Sequence, residues 1–280
     1  MRLSWEPFAI SWDHPIPLGL RTSDTRQGFW VTVQSGGCIG RGEIAPLPDG
    51  SEDLLDRTMS EIQTIASNLM GTQDLWPFGV GVAVAQCRGE WPVSAGPVLT
   101  QGLLWGSPDD MADQLRIKRD QGMICFKIKV RQVDDWKRVQ ALAGLLPLGG
   151  SFRLDANRCF DLDEAIALAK YLVDVPIDYI EEPLRNPAQL HDFYAQTGMG
   201  VALDETLYLA ESWQAFDGLK ALVMKPTLMK WQQFQSLVTT AQRLGIPMVW
   251  SSAFESPIGL QIVKECAQRY SPGIPAGVDV

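Results

Sequence analysis

The chain has 280 residues, 46% apolar and 20% charged, enough to bury a sizeable core and unlike a disordered composition. Its 24 Lys and Arg against 33 Asp and Glu leave a net charge of −9, with no basic run, which argues against nucleic acid or an anionic membrane as a partner. Five scattered cysteines without a C-x-x-C pair, and only two histidines (His14 and His191), leave little for a zinc ribbon, a disulfide scaffold or a Ser-His-Asp triad.

Residues 1–7 show no apolar stretch with a cleavage site, and no apolar run reaches the ~18–20 residues of a membrane span, so a cytoplasmic protein with reduced thiols is expected. In chain order, 29–33 and Cys38–Ile44 read as strands around the turn Ser35-Gly36-Gly37. Ser51 reads as the N-cap of a helix carrying Leu54, Leu55, Met59 and Ile62, and a more apolar helix is expected over 79–89. Residues 1–95 thus form an α+β unit too small to own the whole core.

From Gly96 the pattern changes. Apolar strand candidates at 97–100, 124–130, 152–157, 177–182, 201–206, 221–226, 248–253 and 274–280 alternate with helical spacing. The helices fall at 109–121, 133–145, 162–173 and Trp231–Leu244. Such alternation predicts βαβ units and a parallel sheet, and eight strands in about 185 residues favour a closed barrel over 96–280. Neither a dinucleotide-binding glycine pattern nor a P-loop is present.

The charged strand residues carry the functional signal. In Phe126-Lys127-Ile128-Lys129-Val130 the two lysines share one face, and the apolar face suits the surrounding helices, which sends both ammonium groups inward. Lys129, Asp155, Glu181, Asp204, Lys225 and Ser251 recur at intervals of about 21 to 26 residues, one strand–helix unit each, and so fall on one rim of the barrel, the C-terminal face. Three carboxylates aimed at one centre repel unless a cation sits among them, and all-oxygen ligands suit Mg²⁺. The alternative is structural: strand-end acids serve as caps, and Lys127 and Lys129 pair with Glu181 and Asp204.

The motifs resemble the enolase superfamily, and within it the o-succinylbenzoate synthase branch. The matching segments are Lys127-Ile128-Lys129, Leu154-Asp155-Ala156-Asn157, Ile180-Glu181-Glu182-Pro183, Leu203-Asp204-Glu205, Lys225-Pro226-Thr227-Leu228 and Ser251-Ser252-Ala253-Phe254-Glu255-Ser256. Gly42-Glu43-Ile44-Ala45-Pro46-Leu47-Pro48 matches in the N-terminal unit. The resemblance implies an α+β capping domain with a modified (β/α)₇β TIM-like barrel, Mg²⁺ (or Mn²⁺) on Asp155, Glu181 and Asp204, and a small-molecule carboxylate substrate. The implied reaction is dehydration of 2-succinyl-6-hydroxy-2,4-cyclohexadiene-1-carboxylate to o-succinylbenzoate, in menaquinone or phylloquinone synthesis.

By the same resemblance Lys129 is the base, Lys127 its neighbour and Lys225 the cation on the opposite face. Substrate contacts carry over to Arg153, Asn157, Ser251, Ser252 and the backbone of Gly277, and Arg21 falls in a loop able to close over the site. The chain stops about where the last barrel strand should end, and the resemblance implies a further segment that packs back on the cap. Lys127 and the divalent ion would lower the pKa of Lys129 from the ordinary lysine value of ~10.4. Rival readings are an N-acylamino acid racemase or dipeptide epimerase, a cycloisomerase, and a catalytically silent barrel acting as a binding protein. A monomer or weak homo-oligomer is expected.

Overall fold

Alternating Phe29, Val31 and Val33 are buried while Gln34 faces solvent, the period of a strand with one covered face. In the computed structural model this segment belongs to β2 (Arg21–Ser35), central in an antiparallel sheet of order β1-β2-β3, with β1 at Arg2–Leu18 and β3 at Cys38–Ile44. Gly36 and Gly37 have φ of 56° and 87°, as a two-residue hairpin turn needs. The structure describes residues 1–18, 21–48, 50–91, 96–209 and 213–279, without side chains at 13–18 and 21–22. Arg21 opens β2 instead of lying in a loop, and its side chain is outside the described residues.

The chain divides into two compact units, and the first comprises Met1–Pro97, Lys225–Thr240 and Trp250–Tyr270. Here α1 (Leu54–Ser67) buries Thr58, Ile62 and Ile65. Its N-cap is Asp53, and Ser51 instead accepts a hydrogen bond from Arg57 (2.6 Å). The uniformly apolar α2 (Phe78–Cys87) lies backbone-to-backbone on β3, so close that a Cβ on Gly42 would overlap the Gly79 carbonyl. The Glu43 carboxylate of β3 accepts the N–H groups of Ser256 and Gly259, both at 3.1 Å, at the start of α9 (Pro257–Tyr270). A carboxylate at a helix N-terminus satisfies orphan donors and complements the dipole.

The second unit comprises Val98–Met224, Ala241–Val249 and Ser271–Val280. Its strands are β4 (Gly102–Leu104), β5 (Cys125–Lys129), β6 (Ser151–Asp155), β7 (Ile177–Glu181), β8 (Val201–Leu203) and β9 (Leu219–Met224). With β10 (Met248–Trp250) they form a seven-stranded sheet in sequential order, as successive βαβ crossovers produce. Its helices are α3 (Pro108–Asp120), α4 (Trp136–Ala143), α5 (Leu162–Tyr171), α6 (Leu190–Thr197) and α7 (Glu205–Tyr208), whereas α8 (Trp231–Leu244), between β9 and β10 in sequence, falls mostly in the first unit. Capping boxes at Ser107/Asp110 and Asp161/Glu164 start α3 and α5.

Three expected strands differ. At 97–100 the chain makes only a parallel bridge, Thr100 with Ala276, and the first strand begins at Gly102 beside Phe126. The same bridge is what remains of the strand expected at 274–280. The expected strand at 201–206 stops at Leu203, and α7 follows. Gly42→Ala is expected to destabilise the protein by about 1–3 kcal/mol, the cost of overpacking, because backbone rather than a yielding side chain opposes the new methyl. A denaturation midpoint in urea checks this.

Candidate functional site

Strand register assembles the site. Lys129 is the Cα partner of Asp155, Asp155 is the partner of Glu181, and Glu181 pairs with Ala202, two residues before Asp204. Neighbouring parallel strands thus deliver Lys129, Asp155 and Glu181 side by side at their last residues, and Asp204 directly follows β8. The carboxylates are almost wholly removed from solvent: Asp155 is 3% exposed, Glu181 2% and Asp204 0%.

An amine offsets part of this charge. Lys127 is 7% exposed, and its Nζ lies 2.9 Å from Asp155 Oδ2 and 3.0 and 2.8 Å from the two oxygens of Glu181. Burial alone would push this ammonium toward neutrality. The charges of Asp155, Glu181 and Asp204 overcome that and hold its pKa well above the ordinary lysine value. Lys129, half-buried at the strand end, donates to Asn157 Oδ1 (3.1 Å), and Asn157 Nδ2 donates to Glu205 Oε1 (3.0 Å). Asn157 therefore grips the amine rather than standing as an isolated polar group.

The other expected residues are placed as follows. Arg153 is buried and braces the sheet interior, with Nη1 donating to Gln101 Oε1 and the Pro275 carbonyl (both 2.7 Å) and Nε meeting Asp178 (3.3 Å). Its guanidinium also lies 5.2 Å from the ring centre of Tyr179, so its hydrogen bonds run to these groups and not to the three carboxylates. Gly277 follows the bridging Ala276. Lys225, Ser251 and Ser252 belong to the first unit. Lys225 is half-buried immediately after β9. The Ser252 hydroxyl donates to Glu255 Oε2 (2.6 Å) and accepts from the Phe254 N–H (2.9 Å), while the Ser251 hydroxyl reaches the Ser252 carbonyl at 3.5 Å.

Glu182 and Glu205 lie within the motifs without a role that the sequence alone assigns, and Arg158 and Thr206 lie just outside them. The signal available was a doubled acid, Glu181-Glu182, at a strand end, which the period of two cannot place on a single inward face.

Among the described residues no group of three or more His, Cys, Asp or Glu side chains stands as a preformed metal cage, since Lys127 lies between Asp155 and Glu181. In donor chemistry the three buried carboxylates fit a hard divalent cation, and their joint pull on Lys127 shows that they favour positive charge. Among the described residues no helix is long and apolar enough to cross a membrane.

Removing the ammonium takes its positive charge away from two buried carboxylates. Lys127→Met is expected to cost about 3–5 kcal/mol in metal-free protein. Because folding raises the Lys127 pKa, its stabilisation is complete below the ordinary lysine range and is lost as pH climbs through the raised value. The gap between wild type and Lys127→Met should therefore narrow at strongly alkaline pH, which denaturation series at neutral and alkaline pH will read.

Comparison with known proteins fits this construction. Residues 5–86 match the family model "MenC, N-terminal domain", and residues 110–268 match "Enolase C-terminal domain-like". The o-succinylbenzoate synthase of Salmonella dublin is 32% identical over 96% of this chain and 88% of its own length. Among solved structures, o-succinylbenzoate synthase from Thermosynechococcus elongatus, with Mg in its active site, superposes with a TM-score of 0.79 at 22% identity, covering 99% of this chain and 92% of that one. A dipeptide epimerase from Enterococcus faecalis, complexed with Mg and L-Leu-L-Tyr, gives 0.80 at 18% identity over 99% and 89%. An antiparallel N-terminal sheet, a parallel β/α sheet with acids at successive strand ends, and matches along nearly the whole length establish that the chain belongs to the enolase superfamily.

Proposed function

We propose that the protein is an o-succinylbenzoate synthase, a carbon–oxygen lyase that dehydrates 2-succinyl-6-hydroxy-2,4-cyclohexadiene-1-carboxylate in menaquinone or phylloquinone synthesis. The observation that carries this reading is the buried trio Asp155, Glu181 and Asp204 at consecutive strand ends with Lys129 in register beside Asp155. Relatives 32% identical along 96% of the chain support the choice of branch.

In this reading Asp155, Glu181 and Asp204 hold Mg²⁺ or Mn²⁺, whose charge would stabilise the substrate carboxylate as the adjacent C–H is ionised. Lys129 is the base. Its neutral amine takes the proton α to the carboxylate, and the ammonium so formed returns that proton to the ring hydroxyl, which leaves as water while the ring becomes aromatic. Proton removal and return by one amine require both groups on the same face of the ring, hence a syn elimination. Asn157, hydrogen-bonded to Lys129 Nζ and anchored by Glu205, fixes the direction from which the amine acts. Lys127 balances the acids, and Lys225 supplies a second ammonium that stabilises the anionic intermediate through space. Ser251, Ser252, Arg153, Asn157 and the Gly277 backbone are the substrate contacts that the family resemblance implies.

A second reading, racemisation of an N-acylamino acid or dipeptide, shares this machinery. The similarity in fold to the Enterococcus faecalis epimerase keeps it in play. It predicts exchange of the substrate α-deuterium without loss of water.

Lys129→Ala should lower kcat by about 10²–10⁴-fold, the range for a lost general base, while binding of Mn²⁺ persists. Loss of diene absorbance and Mn²⁺ titration read the two effects separately, and near-wild-type turnover would remove Lys129 from the base role. Asp204→Asn should raise the Mg²⁺ concentration needed for half-maximal activity by at least about tenfold, and excess EDTA should silence wild type. An activity indifferent to both changes would end the metal reading.

A further inference from the structure

Glu182 directly follows Glu181 and is fully buried, yet it belongs to a different set of bonds. Its Oε1 accepts the backbone N–H of Asp204 at 2.9 Å and that of Thr206 at 2.8 Å. Its Oε2 accepts Arg158 Nε at 3.0 Å, and Arg158 Nη2 donates to Thr206 Oγ1 at 2.7 Å. The backbone closes the ring, with the Arg158 N–H donating to the Glu182 carbonyl at 2.7 Å. One ion pair thus ties together the chain after β6, the chain after β7 and the turn after β8.

The backbone there is also held against its preference. Among the described residues four non-glycines have positive φ, and three of them sit here: Asn157 at 43°, Arg158 at 58° and Glu182 at 40°. Conformations of this kind cost of order 1–3 kcal/mol each and persist only where surrounding bonds over-determine them. Asp204 itself has φ −132° and ψ −79°, outside the strand that precedes it, and the N–H that Glu182 holds is its own.

We propose that the Glu182–Arg158 pair is a positioning device: it fixes where the Asp204 carboxylate stands relative to Asp155 and Glu181, and thereby sets the affinity for a divalent cation. This rests on the metal-binding reading given under Proposed function. Neither residue touches the cation or the substrate, and their effect passes through the Asp204 backbone.

The charge of Arg158 makes the test decisive. Deleting a nearby positive charge should tighten cation binding if only through-space repulsion matters, whereas loss of positioning should weaken it. The probe is Mn²⁺ alone, titrated into metal-stripped full-length protein and followed by the free-ion resonance, with circular dichroism as the check on folding. Arg158→Met and Glu182→Gln are each expected to raise the Mn²⁺ dissociation constant about tenfold or more, the usual effect of losing an outer partner of a metal ligand, with partial recovery in Arg158→Lys. Binding by Arg158→Met that equals or exceeds wild type overturns the proposal. Should these variants fold poorly, Thr206→Val removes only the outermost bond: a rise of about threefold supports positioning and an unchanged constant overturns it. Wild type that binds no Mn²⁺ refutes the metal reading and this inference with it, whereas wild-type binding with unaltered variants refutes the positioning role alone.

Discussion

The contact of the Lys127 ammonium with Asp155 and Glu181 is the interaction on which the second unit's interior depends. Taking a carboxylate out of water costs several kcal/mol, and here three are taken out within a few strand positions. The sheet tolerates them because β5 sends a cation to the same place, in register with the strands that carry the acids. The geometry that makes the acids affordable also makes them reactive, since a group of oxygens needing positive charge is a ready receptor for a hard cation.

Around that centre the polar residues sort into separate tasks. Lys127 balances charge, Asn157 and Glu205 orient Lys129, and Glu182 with Arg158 holds the turn carrying Asp204. In the first unit a comparable logic appears at Glu43, where burial pushes the carboxyl pKa up while hydrogen bonds from Ser256 oppose the shift. That acid joins a strand of the antiparallel sheet to the N-terminus of α9. In both units a buried acid earns its place by satisfying backbone N–H groups that would otherwise be orphaned.

Much of this was legible in the sequence because period and punctuation are local. Trp231–Leu244 has the bounds its spacing gives, and the lysine alternation in β5 places Lys127 inside. The strand β1 was not legible in the sequence: it contains Pro7, Pro15 and Pro17, which an edge strand such as β1, paired with β2, tolerates. Helices α6 and α9 lie outside the segments that the apolar spacing marks as helical, and each has a proline just before or at its first turn, Pro187 and Pro257. The division of labour between Glu181 and Glu182 is set by backbone dihedrals at the strand end, which no pattern of residue types encodes.

The bridge between Thr100 and Ala276 has a consequence for biosynthesis. Leu103 N–H also donates to Asp279 (2.9 Å), so the β4 side of the sheet is completed by residues made some 175 positions later. During translation β4 through β9 can pair in order as they emerge from the ribosome, each crossover being local. The β4 flank must wait, its amide and carbonyl groups open to solvent or to a chaperone, until Ala276 and Asp279 have left the exit tunnel. A chain stalled before Ala276 would therefore leave an uncovered strand edge of the kind that templates aggregation.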